Sequence, residues 1–392
     1  MAAPIYFDHA ATSWPKPSVV PEAVGRYFGD AGGNPGRSGH RMSIAAAQLV
    51  EEARDRMATL LGVADPARVA FTKNATEALN VAIYGMVPRG GGHVVTTSCE
   101  HNSVMRPLRH LESLGTEVTV VPGDATGMID ASAVAAALRP DSSLVVTVHG
   151  SNVTGALLPV AAISAAARDR GVPYLVDASQ TAGAIPIDCT ALGIPLLAFT
   201  GHKALLGPTG TGGLVVGEGI TVPALLRGGT GSRSDLEVQP DFLPDSLESG
   251  TLNVAGLAGL GAAAGHLLSV GVDQVAVHER GLVDRFRRGA GGIAGVVLYG
   301  PDDPELRCGV VSFNVSGLSC SEVGTMLDRD FDIMSRVGLH CSPGSHRTIG
   351  TFPTGTVRFG FGLSNSTAEV DTAVAAIAEI AAWAVTREPD HA

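Results

Sequence analysis

The sequence predicts an α/β protein: a large domain around a mostly parallel central sheet, followed by a smaller α+β C-terminal domain. Two observations carry this expectation. Between residues 44 and 176, amphipathic helical stretches alternate with short, continuously apolar runs. That is the pattern of strands covered by helices on both faces. After Lys203 the alternation gives way to a Gly/Ser/Asp/Pro-rich stretch from Gly228 to Gly250, then to mixed helices and strands. A length of 392 residues is more than one small core accommodates.

The elements follow from spacing. Helical periodicity over 44–61 ends at Gly62, and an apolar strand over 69–72 leads into a helix over 75–86. Strands over 93–97, 117–121, 144–148 and 174–176 are separated by helices over 103–114, 131–138 and 160–170. A strand over 212–216 and a long Ala/Gly/Leu helix over 254–270 come next. Strands over 310–315 and 356–361 and helices over 321–329 and 368–384 complete the chain. This places the large domain at 15–255 and the smaller one at 1–14 plus 256–392.

Apolar residues make up 45 % and charged residues 17 %, the balance of a well-buried globular protein. The net charge is −11, and no block of Lys or Arg offers a nucleic-acid surface. No apolar run approaches the roughly 20 residues of a membrane span, and residues 1–9 lack the pattern of a secretory signal. The five cysteines are odd in number and without CxxC spacing, which argues against a disulfide framework and a zinc knuckle. A reduced cytoplasmic protein without a metal site is expected.

Chemistry concentrates in three places. Lys203 sits in Phe199-Thr200-Gly201-His202-Lys203, 26 residues after Asp177, at the end of a buried apolar run where a lysine needs a partner or a covalent task. An aldehyde cofactor needs such an amine, and an acid facing its ring nitrogen makes the ring a stronger electron sink. Asp177 closes an apolar strand, where α/β sheets place functional groups, and Gln180 is three residues on. A surface lysine and a helix cap would explain each residue singly; their spacing favours the cofactor. Thr76, in the strand–turn–helix Thr72 to Ala78, together with Thr200 and His202, could hold a phosphate, although Thr76 could equally be a plain helix cap. His101, at a strand end in Ser98-Cys99-Glu100-His101-Asn102-Ser103, could stack on a ring and handle protons.

The third place is Arg336-Val337-Gly338-Leu339-His340-Cys341-Ser342-Pro343, followed by Thr356-Val357-Arg358-Phe359. Cys341 lies in a polar loop close to positive charge, the setting of a reactive thiol. Cys99, Cys189, Cys308 and Cys320 lie in or beside apolar runs and read as packing residues. Arg358 inside an apolar strand needs a partner; a substrate carboxylate fits its fork, and an internal Arg–Glu pair is the alternative.

Together these residues resemble the cysteine desulfurase branch of the class V aminotransferases, which have the type I fold of pyridoxal-phosphate-dependent transferases. The likeness runs nearly end to end. It includes Tyr6 to Thr12, Thr72 to Asn80, Glu100 to Asn102, Ser151 to Gly155, Val176 to Gln180, Thr200 to Lys203, Glu248 to Asn253 and Gly338 to Cys341. The resemblance implies pyridoxal 5'-phosphate bound covalently by Lys203, stacked by His101, paired at the ring nitrogen by Asp177 and at the ring hydroxyl by Asn152 and Gln180. Thr76, Thr200 and His202 hold the phosphate, and Thr251 reaches the phosphate in the partner subunit of a homodimer. Asn34, Asn152, Arg336 and Arg358 contact the substrate. Lys203 and His101 move protons, and Cys341 takes the sulfur of L-cysteine, or the selenium of L-selenocysteine, for delivery to an acceptor protein. The short distance from Cys341 to Arg358 resembles the subgroup with a compact cysteine loop, which includes Suf-type enzymes and selenocysteine lyases. Two features depart from the relatives: Leu339 stands where a second histidine is usual, and Asn34 to His40 replaces the more common Asn-x-His-Arg-Gly form. β-Elimination, epimerisation and a non-enzymatic role on the same fold are the alternatives.

Overall fold

The computed structural model describes residues 4–36, 39–233 and 235–386. Two positions of the Asn34–His40 run and the outer ends of the second expected domain lie outside the described residues. In chain order the first strands are β1 (Ile5–Tyr6), β2 (Val69–Thr72), β3 (His93–Thr97), β4 (Glu117–Val121), β5 (Ser142–Val148) and β6 (Tyr174–Asp177). They are followed by β7 (Leu196–Thr200), β8 (Gly212–Val216), β9 (Val296–Leu298), β10 (Val310–Val315), β11 (Ile333–Met334), β12 (Arg336–Gly338) and β13 (Thr356–Gly360). Helices α1 (Val19–Asp30), α2 (Arg41–Leu60), α3 (Ala75–Met86), α4 (Asn102–Ser113), α5 (Ala131–Ala137) and α6 (Val160–Asp169) belong to the first half. The second half adds α7 (Val254–Val270), α8 (Val272–Ala290), α9 (Cys320–Phe331), α10 (Pro343–Thr348) and α11 (Thr367–Thr386).

The central sheet has seven strands in the order β2-β8-β7-β6-β5-β3-β4. All neighbours pair in parallel except β8, which runs antiparallel to β7 and β2. Strands β3, β6, β7 and β8 are buried along their whole length, which is why they read as continuous apolar runs. Because β3, β5, β6 and β7 point the same way, their C-terminal ends share one edge, and His101, Val148, Asp177 and Lys203 are all delivered there. Gly212 has a packing reason: a Cβ on it would come within 2.6 Å of the Asn74 Cα, so its bare backbone lets the start of α3 lie against β8.

A second sheet, β12-β13-β10-β9, is antiparallel and packs on α8, α9 and α11 around Phe7, Phe286, Phe313 and Phe359. β1 pairs in parallel with β11, so the N-terminal segment packs with this second core. The boundary is expected at 256. It falls inside α7, whose Leu257, Leu260, Ala264 and Leu267 belong to the core of the large sheet, packed on α1 and α2. The packing changes sides within α8: Val275 still belongs to the core of the large sheet, and Leu282, Val283 and Phe286 enter the second core. Among the described residues, no single helix is long and apolar enough to cross a membrane.

Candidate active site

A cavity of about 680 Å³ opens at the shared strand edge, lined by Asn74, Thr76, His101, Asn152, Asp177, Gln180, Thr200, His202 and Lys203, among others. The sequence offers Asp177, Gln180 and Lys203 by spacing, Thr76, His101, Thr200 and His202 by residue type and context, and Asn152 by resemblance. Lys203 lies in the turn after β7, and its ammonium has no hydrogen-bond or ion-pair partner among the described residues. Burial pushes its pKa down to about 8; Asp177 opposes the shift, while Arg358 and Arg336 add to it. Asp177 ends β6, and its Oδ1 accepts from the Ser179 backbone N–H at 2.9 Å and from the Ser179 hydroxyl, which fixes the carboxylate.

His101 caps α4: its Nδ1 accepts the Ser103 backbone N–H at 3.0 Å and meets Ser103 Oγ at 2.9 Å. The local hydrogen bonds of a loop histidine are therefore present, and they orient the ring along the cavity wall. Burial holds its pKa down to about 4, so the ring is neutral and suited to stacking. Ser103 Oγ is 2.8 Å from Thr76 Oγ1, which ties the capping histidine to the start of α3. Asn74 caps α3 by accepting the Glu77 N–H at 3.0 Å, so this helix start is preformed and exposed to the cavity.

The residues fit pyridoxal 5'-phosphate on observations independent of any likeness. The buried Thr200 Oγ1 and His202 Nδ1 have no hydrogen-bond partner; both sit beside Lys203 and near the free N–H groups of α3. A phosphate monoester satisfies such donors.

The second sheet supplies the rest. Arg336 and Arg358 are direct cross-strand partners on β12 and β13, an arrangement of like charges that favours an anion between them. Arg358 is almost fully buried. Its Nη2 donates to Asp8 Oδ1 at 2.9 Å and its Nη1 to the Asn152 carbonyl at 3.1 Å, while Nε has no partner. The expectation of a fork reserved for substrate is therefore met only in part: an internal carboxylate, Asp8, already holds one arm. Spacing alone could not reveal Asp8, because 350 residues separate the pair.

Cys341 is the one exposed cysteine among five. Its carbonyl accepts the Asn102 N–H at 2.8 Å, and Arg336 Nη2 lies 3.9 Å from its Sγ. Asn152 Nδ2 donates to the His340 carbonyl at 2.6 Å, and the Ser342 hydroxyl to the Glu100 carbonyl at 2.8 Å, so the loop is moored to the cavity wall. His340 and Cys341 both have left-handed backbones, with φ of 49° and 59°. Such a conformation is costly for residues bearing a Cβ and persists only when the surroundings impose it. The other four cysteines are buried, as expected.

Asn34, expected at the substrate, and Thr251, expected to serve the partner subunit's site, do not line this cavity. Asn34 and Thr251 share a separate cavity of about 800 Å³ with Arg54 and Glu248, on the side of α2. Both are exposed. Glu248 anchors the Thr251 loop: it takes Arg54 at 2.7 and 3.0 Å and the Phe71 N–H at 2.6 Å. Asn34 lies just before α2 and lines a different cavity from Lys203.

A parallel sheet with a lysine, an acid and a preformed helix start at its C-terminal edge, faced by paired arginines and a thiol, defines a two-domain enzyme of amino-acid chemistry. Residues 5–373 match the model of the aminotransferase class-V family, and the chain belongs to that family. It is 34 % identical over 383 residues to a protein of Methanothermobacter thermautotrophicus named "Probable cysteine desulfurase", covering 96 % of this chain and 94 % of that one. It also resembles the apo cysteine desulfurase of Thermococcus onnurineus NA1, with a TM-score of 0.91, 34 % identity and coverage of 97 % and 95 % of the two chains. The cysteine desulfurase CsdA of Escherichia coli superposes with a TM-score of 0.86 at 28 % identity, covering 97 % and 95 %.

Proposed function

We propose that this chain is a pyridoxal-phosphate-dependent cysteine desulfurase that converts L-cysteine to L-alanine and carries the released sulfur on Cys341. The observation that carries the proposal is one cavity in which an unpartnered lysine faces a fixed aspartate, with an exposed thiol moored to its wall.

Lys203 would hold the cofactor covalently, Asp177 its ring nitrogen, His101 its face, Asn152 and Gln180 its ring hydroxyl, and Thr76, Thr200 and His202 its phosphate. When bound, the cofactor supplies a sink for the electron pair left at the substrate Cα. Lys203, with its pKa lowered to about 8, gives up its proton far more readily than an exposed lysine, which suits its amine to take the Cα proton. Arg358 and Arg336 orient the substrate carboxylate. The Cys341 sulfur attacks the substrate sulfur; the S–C bond breaks, the electrons stay with the three-carbon fragment that leaves as alanine, and a persulfide remains on Cys341. Cys341 is exposed, which suits handover to an acceptor protein. We read the exposed Thr251 loop as reaching the cavity of a second subunit in a homodimer, and a cytoplasmic location follows from the chemistry of a free, reactive thiol.

Two measurements test this. Lys203→Ala should lose the visible absorbance of the lysine-bound cofactor; a normal band in that variant would sink the assignment. The purified protein given cysteine should yield alanine and sulfide. Pyruvate with ammonia would replace desulfuration by β-elimination, and a D-amino acid would replace it by epimerisation.

A further inference from the structure

The carbonyl immediately before Lys203 is held to an unusual degree. His202 O accepts four donors from one short segment: the Ser13 N–H at 3.0 Å, Thr12 Oγ1 at 3.1 Å, Ser13 Oγ at 3.2 Å and Lys16 Nζ at 2.9 Å. A carbonyl oxygen has two lone pairs, so ordinary loop satisfaction would need one or two of these. The one charged donor, Lys16, is half-buried and also reaches Ser13 Oγ at 2.7 Å, which aligns the hydroxyl with the same carbonyl. Hydrogen bonds with a charged donor are the stronger kind.

The same segment touches two other site residues. Asp8 takes Arg358 at 2.9 Å, and the Ala10 carbonyl takes Gln180 Nε2 at 3.1 Å. It reaches them because β13 ends in a glycine: a Cβ on Gly360 would come within 2.6 Å of the Ala10 nitrogen. Residues 8–16 thus form a strap with Asp8 on the substrate arginine at one end and Lys16 on the lysine turn at the other. Any displacement of the turn after β7 has to break the Lys16 contact. The Lys203 amine itself has no hydrogen-bond partner among the described residues, so its aim depends on the turn that carries it.

We infer that Lys16 is a positioning residue for the desulfurase reaction: through the His202 carbonyl it fixes the turn that aims the Lys203 amine. The inference rests on the cofactor role proposed for Lys203. Lys16 itself touches neither substrate nor reacting atoms, and the charged hydrogen bond is what does the positioning.

The test compares Lys16→Met and Lys16→Arg as holoenzymes. Lys16→Met is expected to lower kcat for cysteine about tenfold with KM within about twofold, because Arg358 and Asp8 are untouched. The pH midpoint of the visible lysine–cofactor band should shift, since the lysine has lost its fixed aim among Asp177, Arg336 and Arg358. Lys16→Arg keeps a charged donor and should restore kcat and midpoint to near wild type. Unchanged kcat and midpoint in Lys16→Met would overturn the inference, as would Lys16→Arg being impaired as badly as Lys16→Met, which would mark a packing role only. The wild-type band is the control: its absence would remove the cofactor reading itself, whereas a normal band with an indifferent Lys16→Met removes only the role of Lys16.

Discussion

The two walls of the site, the lining of the cavity and the hairpin moored to it through Asn152, are built on different principles. On the large-sheet side, each group comes from a different strand end: His101 after β3, Asp177 on β6, Lys203 after β7. The wall is a rigid edge, and side chains on it are fixed by short local contacts such as Ser179 on Asp177 and Ser103 on His101. On the small-sheet side, a single hairpin, β12 to β13, carries Arg336, Cys341 and Arg358, and its turn runs through two left-handed residues. The first wall has the means to hold a cofactor; the second has the means to present a substrate anion and a thiol. If that division is real, damage to one wall should spare the function of the other.

The largest effect is expected at Cys341. Cys341→Ser should lower cysteine desulfuration by about a thousandfold or more, as removal of a covalent nucleophile does, while the visible cofactor band stays normal. Some release of selenium from selenocysteine should persist, because a selenolate leaves more readily than a thiolate. Turnover of cysteine within a few-fold of wild type would show that the hairpin does not supply the nucleophile and would break the division.

Arg358→Lys comes next. It keeps the charge and loses the fork, including the bond to the Asn152 carbonyl. KM for cysteine should rise roughly 30- to 100-fold, with kcat changed by less than about threefold. A fall in kcat with KM unaltered would place Arg358 with the cofactor wall instead.

How much of this was legible in the sequence follows from the same contrast. The large-sheet wall was largely readable, because a fully buried strand leaves a continuous apolar run and a functional residue at its end stands out against it, as Asp177 and Lys203 do. The hairpin was read only in part. Cys341 and Arg358 were visible from their neighbours, but β12, with three residues, is too short to show a period, and nothing in the sequence places Arg336 opposite Arg358. Asp8 and Lys16 act across long chain separations, through a strap whose path depends on Gly360 and on β1 pairing with β11. The boundary expected at 256 is hard to read for a similar reason. α7 is buried along most of its length and built of Ala, Gly and Leu, so it shows no polar face to say which core it joins.

The smallest expected effect is at the junction of the two walls, and there the readout is stability and not turnover. Glu279, on α8, lines a cavity of about 350 Å³ together with His9, Ser13 and Gln180. Gly309 leaves space for it: a Cβ there would come within 2.4 Å of its Oε2. No basic group pairs with Glu279 among the described residues, and His9, whose ring nitrogens also lack partners, is held neutral with a pKa down to about 4 by burial and by Lys16. Burial raises the Glu279 pKa to about 8. The folded chain therefore keeps a proton that the unfolded chain releases from about pH 4.5 upward. A raised carboxyl pKa favours the folded state at low pH, and that contribution is lost as pH rises from the unfolded value toward 8. Glu100, raised to about 8 mainly by burial, acts in the same direction. Glu279→Gln removes one titrating group and keeps the shape. At pH 5 its Tm should match wild type within about 1 °C, and at pH 8 it should exceed wild type by roughly 3–6 °C, since a tenfold difference in proton affinity between the folded and unfolded chains is worth about 1.4 kcal/mol. Activity at the pH optimum should change less than about twofold, because Glu279 belongs to neither wall. Equal Tm differences at pH 5 and pH 8 would mean that Glu279 is not held protonated in the fold. A loss of activity larger than that caused by Arg358→Lys would mean that the junction takes part in the chemistry, and that the two walls do not work apart.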